Sequence, residues 1–151
     1  MQIRIEAFDL PGRSCAPAPG FPGYDGIHVA VQRRGRPAEL LDPHPGDAPS
    51  AAWTLECTAI PTADGIDFRG PYLQGRPAAR FVYLSWVAIG PGGDPALFRR
   101  AKLMLDAVPD DVARAAAGSG RLLARLGLTD PGGRPLCAAV RPPRVTWSAP
   151  R

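Results

Sequence analysis

The sequence predicts an α+β domain: a mainly antiparallel β-sheet or sandwich, with a C-terminal helical segment of two to three helices packed on it before a final strand. Three observations predict it. Short segments of alternating apolar and polar residues recur up to residue 89, the apolar spacing lengthens beyond residue 94, and strand-forming residues return near the C-terminus. Strands followed by helices, instead of alternating with them, are the pattern of an α+β fold. At 151 residues the chain fits one domain, residues 1–151, large enough to bury a core without metal or disulfide staples.

The first strand is "IRIEAF" at 3–8, with Ile3, Ile5 and Ala7 opposed to Arg4 and Glu6. The next 18 residues, "DLPGRSCAPAPGFPGYDG", are dense in turn formers and read as a loop of unusual length. "IHVAVQRR" alternates again, "GRPAELLDPHPGDAPS" is a second irregular stretch, and "AAWTLECTAI" is a third strand with Trp53, Leu55, Cys57 and Ala59 inward. Asp64-Gly65 marks a tight hairpin. "RFVYLSWVAI" is apolar on both faces and predicts a central strand. After "GPGGDP", Leu97, Phe98, Ala101, Met104, Leu105 and Val108 fall on one helical stripe, with Asp94 as N-cap and Pro95 at the first helical position. "DDVARAAAG" reads as a second helix, and "SGRLLARLG" as a third that Gly127 stops. "LCAAV" and "RVTW" close the chain as strand.

Composition excludes several classes. Apolar residues make up 45% and charged residues 21%, close to a globular average, and no apolar run is long enough to span a bilayer. The N-terminus alternates and lacks the apolar stretch of a secretory signal, so a soluble, cytoplasmic protein with no membrane partner is expected. Cys15, Cys57 and Cys137 are odd in number and scattered, which argues against a disulfide framework, and with His28 and His44 as the only histidines no metal site is expected. Net charge is +4 but unevenly spread: residues 1–94 carry 8 Arg and 10 acids, net −2, and residues 95–151 carry 9 Arg, one Lys and 4 acids, net +6. That asymmetry suits an acidic or phosphate-bearing partner, and equally an Arg-rich coding bias, since Arg outnumbers Lys 17 to 1.

Familiar catalytic signatures are missing. "GSGRLL" at 118–123 has Leu123 where a dinucleotide loop needs its third glycine, and no phosphate-cradling loop, H-E-x-x-H or G-x-S-x-G occurs. The stretch "DFRGPYLQGRPAARFVYLSW", residues 67–86, holds the richest polar chemistry. Arg69 and Arg80 offer planar forks to an anion, Tyr72 and Trp86 offer aromatic faces, and Gln74 both donates and accepts. These five are the candidate ligand-binding residues, for a small anionic or aromatic molecule. Asp67 and Tyr72 are the candidate catalytic residues, should the pocket belong to a cofactor-free cyclase or isomerase. The same arginines would serve a purely structural role if they paired with Asp67 or Glu56. A third possibility is an interaction module that presents Arg99, Arg100 and Lys102 to an acidic protein, nucleic acid being the less favoured partner. No cofactor is expected.

The segments "MQIRIEAFDLPGRSC", "PGDAPSAAW", "DFRGPYLQG", "RFVYLSW", "FRRAKLMLDAVP" and "LGLTDPGGRPLCAAVRPP", taken together, resemble an uncharacterised family of small bacterial proteins classed as a domain of unknown function. The resemblance spans nearly the whole chain. It implies a bacterial single-domain protein and carries no activity, cofactor or site.

Overall fold

The computed structural model describes residues 1–8, 27–33, 50–92, 95–134 and 143–150, and only the backbone at 27, 28, 50, 51, 89 and 95–99. Nine strands and one α-helix make up these residues: β1 (Gln2–Phe8), β2 (Ile27–Gln32), β3 (Ser50–Glu56), β4 (Thr58–Thr62), β5 (Gly65–Arg69), β6 (Phe81–Ile89), β7 (Pro95–Met104), α1 (Asp110–Ser119), β8 (Arg121–Gly127) and β9 (Arg144–Ser148), with a 3-10 turn at Leu105–Ala107. They form a four-stranded sheet of order β3-β1-β8-β9, a three-stranded sheet of order β2-β6-β7, and the β4-β5 hairpin. Every pairing is antiparallel except β1 with β8, which run parallel at the centre of the larger sheet.

Alternation in the sequence places each strand's apolar side inward. Ile3, Ile5 and Ala7 of β1, Trp53 and Leu55 of β3, and Leu122, Ala124 and Leu126 of β8 are all buried on one face of the larger sheet. Val29 and Val31 of β2, Val82, Leu84, Trp86 and Ala88 of β6, and Ala101 and Leu103 of β7 are buried on the smaller sheet. Both sets belong to one apolar cluster, which Ala113 and Ala116 of α1 also join. At roughly 25 cal/mol per Å² of apolar surface removed from water, this shared core is the dominant stabilising contribution.

The predicted α+β class is corrected: the described chain is mostly strand, and the helical segment is one α-helix, not two to three. Residues 95–104, predicted as a helix, are β7, and 121–127, predicted as another, are β8. The first misreading has a geometric cause. In the β6-β7 register Trp86 faces Arg99 while Val87 faces Leu97, so Phe98 is one residue extra. Such a bulge breaks a period of two and leaves apolar residues at spacings of three and four, which mimic a helix. Beyond it the alternation is plain, with Arg100 and Lys102 exposed and Ala101, Leu103 and Leu105 buried. In β8, Leu, Ala and Arg are good helix formers, yet burying Leu122, Ala124 and Leu126 between β1 and β9 outweighs a propensity of a few tenths of a kcal/mol per residue. The helix at 110–119 stands where predicted, ended by Gly120 in the left-handed conformation (φ 73°).

The expected hairpin forms one residue earlier than an Asp64-Gly65 turn: Thr62 pairs with Gly65, so Ala63 and Asp64 make the two-residue turn and Gly65 opens β5. The expected strand at 136–140 and both long loops lie outside the described residues, as do Cys15, His44 and Cys137. Among the described residues no helix is long and apolar enough to cross a membrane.

Candidate functional site

The 67–86 stretch folds as a corner between β5 and β6. Gly75 makes it possible: its φ is +87°, and a Cβ there would lie 2.3 Å from the Ala79 carbonyl oxygen. Gln74 and Phe81 exchange backbone hydrogen bonds of 2.9 and 3.0 Å across this turn. The turn thereby delivers Arg80 to the middle of β5, where Asp67 lies.

Asp67 is buried, and its carboxylate takes up both collar arginines. Arg80 Nε donates to Oδ1 at 2.9 Å and Arg80 Nη2 to Oδ2 at 3.3 Å, while Arg69 Nε donates to Oδ2 at 2.7 Å. Arg80 Nη1 also donates to the Gly75 carbonyl oxygen. Hydrogen bonding from Arg80 first, then from Arg69, and the charge of both guanidiniums hold the Asp67 carboxyl below its usual range, against the opposing effect of burial. An ionised carboxylate in this setting accepts hydrogen bonds and has no proton to donate at neutral pH. The space beside it, bordered by Ile66, Phe68, Ala78, Leu105 and Asp106, measures about 40 Å³, room for a water and not for a metabolite.

The other collar residues have separate surroundings. Tyr72 is partly buried against the core, Gln74 is half-buried beside its bridge to Phe81, and Trp86 has no exposed surface among the core residues of β6. Asp67, Arg69 and Arg80 therefore converge, and Tyr72, Gln74 and Trp86 do not join them in an open pocket. Cys57 is buried, and desolvation pushes its thiol up to about 11, despite the nearby N-terminal ammonium, which lowers it. Such a thiol is a poor nucleophile. Among the described residues no group of three or more His, Cys, Asp or Glu comes together to hold a metal ion.

A different place has the volume that the collar lacks. On the exposed face of the larger sheet a shallow, largely open cleft of about 430 Å³ is lined by Phe8, Arg125, Leu126, Gly127, Arg144 and Thr146. Register builds it: Phe8 and Arg144 are the neighbours of Gly127 on either side, and Thr146 is the neighbour of Arg125. Gly127 has no side chain, and a Cβ there would meet nothing within 4 Å, so no side chain rises from β8 between Phe8 and Arg144, whose strands stand roughly 10 Å apart on either side of it. Arg125 lies with its guanidinium carbon 4.9 Å from the Phe8 ring centroid and its Nε 3.6 Å from Glu6 Oε2, while Glu6 Oε1 is already bonded to Arg4 at 2.8 Å. Two arginines thus share one carboxylate. Arg144 is exposed and has no carboxylate partner among the described residues.

Sequence reasoning does not find this cleft. Phe8 and Gly127 meet through a parallel pairing across more than 100 positions, and "RLLARLG" reads as helix, which would put Arg125 and Gly127 on unrelated sides. The one usable signal is the alternation of Leu122, Ala124 and Leu126, which turns Arg125 and Gly127 to the same exposed face.

Comparison with known proteins agrees with the resemblance read from the sequence. The model of a family of unknown function, DUF5990, matches residues 1–150. No curated protein and no solved structure is significantly similar to the chain.

Proposed function

From the premise that the chain belongs to the DUF5990 family, which lends it no activity, we propose from geometry that the protein binds a small anionic ligand in the cleft between Phe8 and Arg144. The observation that carries this reading is a broad, shallow depression of about 430 Å³ whose cations exceed its carboxylates. Arg144 supplies a guanidinium fork for a carboxylate or phosphate, and Thr146 a hydroxyl donor. Arg125, stacked on Phe8, adds positive charge from the opposite wall. The Gly127 floor admits a flat body, so a small planar carboxylate fits better than a bulky or branched anion.

A second cavity, about 520 Å³ between the β4-β5 turn and α1, is lined by Asp64 and Asp110 as well as Arg114 and lacks this excess of positive charge. In the collar, the arginines that would meet an anion already meet Asp67.

Thermal unfolding with benzoate and with inorganic phosphate tests the proposal. A ligand at about 100 times its Kd adds roughly 2.7 kcal/mol, which raises Tm by about 5–10 °C in a chain of this size. Benzoate is expected to give such a rise, Arg144→Ala to reduce it, and Gly127→Leu to remove it by filling the floor. Arg69→Ala should leave the shift intact. A shift that survives both cleft substitutions, or one lost with Arg69, would remove the cleft from consideration.

A further inference from the structure

Two cations border the cleft from opposite sides, and they are held differently. Arg144 is exposed and meets no carboxylate among the described residues. Arg125, whose side chain is 57% exposed, lies against Glu6 of β1. Glu6 divides its carboxylate unevenly. Its Oε1 accepts from Arg4 Nε at 2.8 Å, an ordinary hydrogen bond, whereas its Oε2 stands 3.6 Å from Arg125 Nε, too far for one. Arg4 is therefore the firm partner of Glu6 and Arg125 the loose one. The Phe8 ring, 4.9 Å from the guanidinium carbon, is the second contact that keeps the Arg125 head at this wall.

Register fixes where these groups stand. Gly127 lies between Phe8 and Arg144, and Arg125 precedes it on the same face of β8, its head carried over to β1 by the stack on Phe8. One cation thus belongs to each wall of the cleft, and the bare Gly127 is the floor between them. Arg125 turns its Nε toward Glu6, and its remaining donors meet no other carboxylate among the described residues. Those donors form an edge that can grip a carboxylate with two parallel hydrogen bonds.

We propose that the ligand of the cleft is a planar dicarboxylate with its charges at opposite ends of one flat body, and that Glu6 selects for it. This rests on the cleft reading and names its ligand class. One carboxylate takes the Arg144 fork and the ring lies on Gly127. The second carboxylate meets Arg125 over Phe8, in competition with Glu6, which its short bond to Arg4 keeps on β1. A monocarboxylate has no charge left for that wall, so Arg125 stays with Glu6. The protein's own carboxylate is thus a built-in competitor that only a second negative group on the ligand can match, and discrimination between mono- and dianions follows.

The experiment titrates the protein with benzoate and with terephthalate, which carries a second carboxylate at the far end of the same ring, at one ionic strength. Amide NMR spectra give both dissociation constants and, through the shifts of Gly127 and Thr146, the place of binding. Terephthalate is expected to bind about fivefold tighter, the effect of one exposed charge pair. Arg125→Gln should remove that advantage and leave the two acids equal. Glu6→Gln should raise the terephthalate affinity about threefold further, a gain that a misfolded variant cannot produce. Equal affinities in the unmodified protein, with shifts still centred on Gly127, would overturn the dicarboxylate and leave the cleft reading standing. An advantage that survives Arg125→Gln would overturn it as general attraction of a dianion to a basic protein. Terephthalate bound no tighter by Glu6→Gln would overturn the competitor role of Glu6. Shifts absent from Gly127 and Thr146 with both acids would end the cleft reading and this inference with it.

Discussion

Asp67 shows how a residue chosen for its chemistry can be engaged by structure. Its side chain is 2% exposed, with Arg80 at 17% and Arg69 at 55%, so the Arg80 contact is the buried one and the Arg69 contact counts little. Asp67→Asn would strand Arg80 without its charge partner and is expected to cost about 2–4 kcal/mol in denaturant unfolding. The pH dependence follows from the direction of the shift. The folded carboxyl titrates below its unfolded counterpart, so the unfolded state binds the proton first as acid is added. The stabilisation is complete above about pH 5 and is lost as pH falls through the ordinary carboxylate value toward the lower folded one. Asp67→Asn should flatten this acid limb. A wild-type limb identical to that of the variant would show that the cluster contributes nothing to acid stability.

At the scale of elements, β8 is the segment in which local preference and tertiary context disagree. A helix would place Leu122 and Leu123 beside each other on one apolar stripe, and a strand sends them to opposite faces. In the structure Leu122 is 1% exposed within the core and Leu123 is only half-buried on the outer face. Leu122→Ala should therefore cost about 2–4 kcal/mol, and Leu123→Ala about 1 kcal/mol or less. Equal costs would argue for the helix. The same contrast applies to β7: a strand brings Arg100 and Lys102 to one face and holds both over rings of β6, while three cations on a helix are an ordinary solvated surface.

For the whole molecule the decisive fact is that both larger sheets feed one apolar cluster, with α1 packed into it. Sheets that share a core cannot lose it separately, so circular dichroism and tryptophan fluorescence should report one coincident unfolding transition. Trp53 on the four-stranded sheet and Trp86 on the three-stranded sheet sample both halves. Two separated transitions would mean two units. Because β1 pairs with β8 across more than 100 residues, folding is expected on the slower, millisecond-to-second range of topologies rich in distant contacts.

The sequence by itself determined several of the strands and which way they face, because alternation with a period of two is a local property. Ile3, Ile5 and Ala7 are legible that way, and the hairpin near Asp64, the doubly apolar β6 and the helix at 110–119 are legible from other local signals. It also held the reagents of the collar, but not their use, since Asp67 selects Arg69 and Arg80 only once β5 and the turn at Gly75 bring them within 3 Å or so. Tertiary structure alone decided the rest. Bulge geometry made β7 a strand, burial between two neighbours made β8 a strand, and the parallel meeting of β1 with β8 opened the cleft over Gly127. The physical reason is common to all three: pairing partners distant in sequence contribute more free energy than local propensity, and no window of neighbouring residues contains them.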